Sequence, residues 1–225
     1  VYVTRGSTYE NEDNLAPSAL EQYRELYEGT RLGRQELYAE VLDDIEGALW
    51  SYSMFENHRI HKEDLPEMAR IVVALDPAVT SSDNSDETGI IVAGRGVDKR
   101  FYVLEDGAIK TSPDKWLKKA IDLYYLHNAD RIVAETNNGG DLVEKLLRTI
   151  DDKIAYKKVQ ASRGKLVRAE PIVALYEQGR VSHVGSLASL EDQLCTYAGG
   201  SNSPDRLDAL VWALTELMTS SGNIY

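Results

Sequence analysis

One cysteine in 225 residues, Cys195, leaves no partner for an internal disulfide and no basis for a multi-cysteine zinc site. That scarcity is compatible with a reducing compartment. No run of 18 or more apolar residues occurs, which excludes a transmembrane helix. There is no signal peptide and no initiator Met. The sequence opens Val-Tyr-Val-Thr, as expected of a fragment or a processed chain. Basic residues are also scarce: 25 Lys and Arg against 37 Asp and Glu give a net charge of −12. The deficit is uneven. Residues 1–69 hold 15 acids and 6 bases, a net of −9, whereas residues 70–225 hold 22 and 19, a net of −3. The acidic total argues against tight non-specific binding to nucleic acid, but the nearly balanced second part leaves room for a local basic contact. Neither repeats nor low-complexity tracts are present.

What is there is centred on Ile71-Val-Val-Ala-Leu-Asp-Pro77, an apolar run that ends on a carboxylate. Five consecutive apolar residues read as a strand buried on both faces, and Pro77 ends it. Before it, Pro17 and Ser18 suit a helix start, with Leu20, Tyr23 and Tyr27 on one face and Gly29 at the end. A second helix is expected from about Arg34 to Glu46. Trp50, Tyr52, Met54 and Phe55 form an aromatic-rich patch. These residues read as a helical preface to the main domain, either packing on something else or serving as that domain's own N-terminal helices. After Asp76 comes a polar loop, Ala78 to Thr88, expected to be mobile. Gly89–Gly94 and Phe101–Glu105 read as antiparallel strands, and Ser112-Pro113 starts a helix running to about His127. Asp130–Glu135 is a second strand ending on an acid. Helices are expected over 141–150, 167–178, 187–197 and from about Asp205 to Met218, and strands over 154–159 and 181–184. Ser203 and Pro204 suit the last helix's N-cap and first position. Antiparallel strands first and parallel crossovers later give an α/β fold, a mixed sheet with helices on its faces.

Asp76 and Glu135 end two buried strands that can lie side by side. Asp205 and Asp208 lie about 60° apart around the last helix and so share a face. Carboxylates converging on one point repel each other unless a cation sits among them, and hard oxygen ligands select Mg²⁺ or Mn²⁺. Two such ions about 4 Å apart would support phosphodiester hydrolysis. Other readings stay open. Asp76-Pro77 also suits a turn, and Asp205 also complements a helix dipole. Glu135 is harder to dismiss, because an acid after Ile-Val-Ala in a buried strand is costly without a partner. His183 and Trp212 read as structural and packing residues.

Residues 70–219 resemble the C-terminal nuclease domain of the large terminase subunit, the DNA-packaging protein of tailed double-stranded DNA phages and gene transfer agents. The stretches that carry the resemblance are Ala-Leu-Asp76-Pro-Ala, Asp-Glu-Thr-Gly-Ile-Ile-Val-Ala-Gly94, Ile-Val-Ala-Glu135-Thr-Asn-Asn-Gly-Gly-Asp141, Ala161-Ser-Arg-Gly-Lys165, Arg168 to Arg180, Leu190-Glu-Asp-Gln-Leu-Cys195, and Ser203-Pro-Asp-Arg-Leu-Asp-Ala-Leu-Val-Trp-Ala-Leu214. The resemblance implies an RNase H-like fold and an endonuclease that cuts concatemeric viral DNA with Mg²⁺ or Mn²⁺.

It also implies roles. Asp76 matches the first-strand acid and Glu135 the second-strand acid. Asp208 is favoured as the third, with Asp205 a candidate further metal ligand; the loop acids Asp83 and Asp86 are weaker candidates. Arg163, Lys165 and Arg168 are expected to contact DNA phosphates. An ATPase motor precedes the nuclease in this family, yet no Gly-x-x-x-x-Gly-Lys-Ser/Thr loop occurs here, so no ATP site is expected. Residues 1–69 then become a connector or the tail of that motor, with apolar faces expected to be partly exposed, and residues 220–225 a C-terminal tail. Implied partners are double-stranded DNA, the portal, the small terminase subunit and the ATPase domain of a longer chain, with no membrane, in the host cytoplasm. Two further readings remain: a docking module whose nuclease is latent, and another RNase H-like enzyme such as a junction resolvase.

Overall fold

The computed structural model describes residues 6–17, 21, 45–77, 87–136, 140–161, 164–199 and 204–219. The expected helices of residues 17–29 and 34–46 fall almost wholly outside these, as do Asp83, Asp86, Arg163, Ser203 and residues 220–225.

Six strands form one sheet in the order β5-β4-β1-β2-β3-β6. They are β1 (Met68–Asp76), β2 (Gly89–Gly96), β3 (Phe101–Asp106), β4 (Arg131–Glu135), β5 (Tyr156–Val159) and β6 (Val181–His183). Strand β1 runs antiparallel to β2 and parallel to β4, so the sheet is mixed as the sequence predicts. Alternation explains why Ile71 to Leu75 of β1 is apolar without a break. Val72 and Ala74 enter one core, Val73 and Leu75 the other, and all four are fully buried.

Helices cover both faces. On one side lie α2 (Pro113–Leu126) and α3 (Gly140–Ile150), whose Trp116, Leu117, Ala120, Val143 and Leu147 pack against Val73, Leu75 and Ile132. The other side carries α1 (Tyr52–Glu56), α4 (Lys165–Glu177), α5 (Ala188–Thr196) and α6 (Asp205–Thr219). Helix α6 contributes Leu207, Leu210, Val211, Leu214 and Leu217 to that core. Pro113 opens α2 at a position where its missing N–H leaves no intrahelical bond unmade.

The aromatic patch departs from expectation. Trp50 and Phe55 are each 1 % exposed and lie edge-on to Tyr176 of α4, rather than presenting an open apolar face. Burying two large rings contributes several kcal/mol, which outweighs any tendency of this segment to stand apart. Arg59 adds a two-pronged ion pair to Glu191 of α5, and Ile60 forms a parallel bridge to Val184. The end of the polar loop is also held. Thr88 is buried and exchanges backbone hydrogen bonds with Ile109, and Glu87 accepts from Arg206.

His183 is structural, as the sequence reading has it. It is buried, stacked on Phe55 and placed between Tyr176 and Glu191. The Glu191 carboxylate only accepts, so His183 Nδ1 carries the proton and donates at 2.8 Å, and the Tyr176 hydroxyl donates to Nε2 at 2.8 Å. Among the described residues no helix is long and apolar enough to cross a membrane.

Candidate active site

Four acids gather at one end of the sheet. The β1–β4 register pairs Leu75 with Ala134, so one residue further on Asp76 and Glu135 stand side by side at adjoining strand ends. Asp208 arrives from the first turns of α6 and is 2 % exposed; Glu135 is 8 % exposed. Asp205 lies one turn earlier, partly exposed, and its charge is felt at Asp76.

A glycine lets α6 come this close. The β1–β2 register places Gly89 opposite Asp76. A Cβ on Gly89 would lie 2.1 Å from the backbone oxygen of Asp205, well inside contact distance. Without that side chain the start of α6 drops onto the sheet edge and delivers Asp205 and Asp208 beside Asp76. Arg206 fixes the placement, donating to Asp106 at the end of β3 at 2.7 Å and to Glu87.

The electrostatics follow from the geometry. Burial, reinforced by the charges of Asp208, Glu135 and Asp205, pushes the Asp76 carboxyl up to about 8, with Lys165 opposing. Two cations from the first turn of α4 answer the acids. Lys165 Nζ lies 2.8 Å from Asp208 Oδ2. Arg168 reaches Asp208 Oδ1 at 3.3 Å and Glu135 Oε2 at a long 3.5 Å. Burial lowers the proton affinity of Lys165, but its bond to Asp208 and the charges of Asp76 and Glu135 outweigh that and leave its pKa above the usual lysine value.

The donor set suits a hard divalent cation: it is all carboxylate oxygen, buried and like-charged, and the neighbouring charges add to the burial that raises Asp76. With Lys165 and Arg168 on the carboxylates, no three His, Cys, Asp or Glu side chains among the described residues stand in a metal-ligating arrangement.

The sequence-predicted residues therefore meet in one place, namely Asp76, Glu135, Asp205, Asp208, Lys165 and Arg168, while Arg163, Asp83 and Asp86 lie outside the described residues. As they stand, Lys165 and Arg168 pair with the acids, because buried carboxylates draw the nearest cations more strongly than water does. Trp212 packs as expected, and in addition its Nε1–H donates to Glu135 Oε2 at 2.6 Å and its ring lies 4.7 Å under the Arg168 guanidinium. The only hint in the sequence is spacing: Trp212 follows Asp208 by four residues, on the same helical face.

The fold has counterparts. A large terminase from a thermophilic bacteriophage superposes with a TM-score of 0.55 at 14% identity, covering 96% of this chain and 55% of that one. This chain thus spans about half the length of that protein. A mutant nuclease domain of the large terminase subunit of bacterial virus Sf6, with manganese and β-thujaplicinol, superposes with a TM-score of 0.55 at 14% identity, over 74% of this chain and 98% of that one. The human cytomegalovirus terminase nuclease domain, Mn-soaked and inhibitor-bound, gives 0.52 at 15% identity, over 73% and 93%. At these identities the likeness establishes the RNase H-like fold. Among curated proteins the sequence finds no match. The model of the terminase RNaseH-like domain family matches residues 73–217, from within β1 almost to the end of α6, and the chain belongs to that family.

Proposed function

We propose that this chain is a metal-dependent endonuclease that cuts double-stranded viral DNA during genome packaging. The observation that carries this reading is the convergence of Asp76, Glu135 and Asp208, with Asp205 beside them, at one sheet end where the Asp76 carboxyl is raised to about 8. The chemistry of the donors supports Mg²⁺ or Mn²⁺, and two ions rather than one accord with four carboxylates. Bound there, the ions would supply a nucleophile from water and stabilise the leaving oxygen.

The chain's own part is to hold and orient. Asp76, central among the acids, is the proposed shared ligand, with Glu135 and Asp208 flanking it and Asp205 at the rim. Arg163, Lys165 and Arg168 are the proposed phosphate contacts. Lys165 and Arg168 take that role only by leaving the carboxylates they now hold. On this reading the chain is part of a longer protein, in which residues 1–69, whose Trp50–Phe55 stretch packs into this domain's core, join it to an ATPase motor, with the portal and small terminase subunit as partners. The sheltered site is consistent with cutting held back until DNA arrives.

A plasmid-nicking assay tests the reading. Nicking is expected in Mn²⁺ and Mg²⁺, absent in EDTA, and reduced at least about 100-fold by Asp76→Asn. Metal-independent nicking, or equal nicking by the variant, would sink it. The specific observation favouring the second reading, a docking module with a latent nuclease, is the ion pairing of Lys165 and Arg168 with Asp208 and Glu135. That reading expects DNA binding without cleavage in either metal.

A further inference from the structure

We infer that Trp212 is a positioning residue of the candidate site, holding the Glu135 carboxylate and the Arg168 guanidinium in register with each other. This rests on the proposed metal-nuclease reading and adds to it a residue of a type not expected to touch a metal.

The geometry is specific. Glu135 ends a strand, and its long side chain is buried at the end of the sheet. The indole Nε1–H donates to Oε2 at 2.6 Å, short for an N–H···O bond, and so fixes that oxygen. Arg168 Nη1 approaches the same atom at 3.5 Å, while Nη2 reaches Asp208 at 3.3 Å. The indole face lies 4.7 Å under the guanidinium carbon and attracts its charge. One ring therefore acts twice, through its edge on Glu135 and through its face on Arg168. Trp212 is itself held. It is 7 % exposed, sits in the α6-side core, and follows Asp208 by four residues on one rigid helix. The spacing of Asp208 from Glu135 is thus set by α6 as a body, with the indole as the spacer.

A structural role alone would favour an apolar ring here. Packing needs no N–H, and an indole N–H buried without an acceptor is costly. A carboxylate taking that N–H, together with a cation across the face, is an arrangement that orients ligands.

Calorimetric titration of Mn²⁺ into the wild type and into Trp212→Phe tests the inference. Phenylalanine keeps a ring beneath Arg168 and removes only the N–H. Mn²⁺ affinity is expected to fall by about tenfold or more in the variant, the usual effect of removing a group that orients a metal ligand. The metal-free melting temperature should change little. A variant that binds Mn²⁺ as tightly as the wild type overturns the inference. A wild type that takes up no Mn²⁺ overturns the metal-nuclease reading and this inference with it, so the two failures are distinct. Should the variant fold poorly, the wild type still answers. Its three indole N–H signals come from Trp50, Trp116 and Trp212. Mg²⁺ is expected to shift the Trp212 signal and leave the other two in place. A Trp212 signal unmoved by Mg²⁺, under conditions where calorimetry shows Mn²⁺ binding, overturns the inference as well.

Discussion

At the scale of single residues, charges in this domain are settled in groups. Glu216, near the end of α6 and 4 % exposed, accepts from Arg70 of β1 at 3.1 Å, Arg131 of β4 at 2.9 Å and Lys157 of β5 at 2.6 Å. Glu216→Ala should therefore destabilise by about 1–3 kcal/mol in urea unfolding, less than for a fully buried pair because the three cations reach solvent. Glu191 offers a pH test. Burial raises its pKa, but the bonds from His183 and Arg59 outweigh this and hold it at about 2. Burial keeps His183 below the usual histidine value. Both groups bind protons more readily when unfolded, so both act in one direction. The contribution of these two groups should fall as pH drops below about 6.5 through His183, and further from about 4.5 towards 2 through Glu191, while Asp76, raised to about 8, acts in the opposite sense over pH 8 to 4. Melting curves of the wild type and Glu191→Gln at pH 7, 5.5 and 4 separate the two: the variant should lose less stability on acidification, and equal losses would count against this pairing. The residues legible in the sequence were those whose chemistry contradicts their setting: Asp76 and Glu135 each close an apolar run. Trp212 and Glu216 were not legible, because the sequence names no acceptor for a core indole and a helical glutamate suits any surface until the partner strand is known.

At the scale of elements, the decisive contact is between β2 and α6. Gly89→Ala would drive a methyl group into the Asp205 backbone, which cannot yield as a flexible side chain would. The expected cost is about 1–3 kcal/mol, with weakened Mn²⁺ uptake because Asp205 and Asp208 move with the helix. Equal melting temperatures and equal metal affinity would show that α6 has slack. The strands and helices that follow residue 69 were readable from hydrophobic period and from end signals such as Ser112-Pro113. Their neighbours were less so. That β1 and β4 adjoin followed from parallel crossover logic, but nothing local to Gly89 told that a helix from residue 205 crosses it. The first turn of α4 shows the same limit. Lys165 and Arg168 look like a solvated basic start to a helix, and only the assembled sheet reveals that both turn inward onto acids.

At the scale of the whole molecule, the domain takes part of its core from ahead of β1. Trp50, Tyr52 and Phe55 lie in the same cluster as α4, α5 and α6, and Tyr52 also bonds Asp192. A chain shortened to begin at Glu67 should melt well below one that begins at Ile45, since losing Trp50 and Phe55 removes about 3–5 kcal/mol of packing for each ring. Differential scanning calorimetry of the two shortened chains reads the difference; matching transitions would mean the segment is an appendage. The sequence left open whether this stretch packs on something else or belongs to the domain, and its acidity does not decide between them. Charge reports what faces water, whereas the border of a core is set by its apolar contacts. The edge of the sheet also offers a place for engineering. Asp76 and Gly89 are cross-strand partners, so the chain departs after one and returns at the other within about 5 Å. A peptide spliced between them is tethered at both ends to the acidic edge, whatever its length. With Glu87 and Thr88 kept for Arg206 and Ile109, the β1–β2 connection becomes a natural port through which a reporter, a crosslinking group or a borrowed recognition segment can be tethered beside the carboxylates.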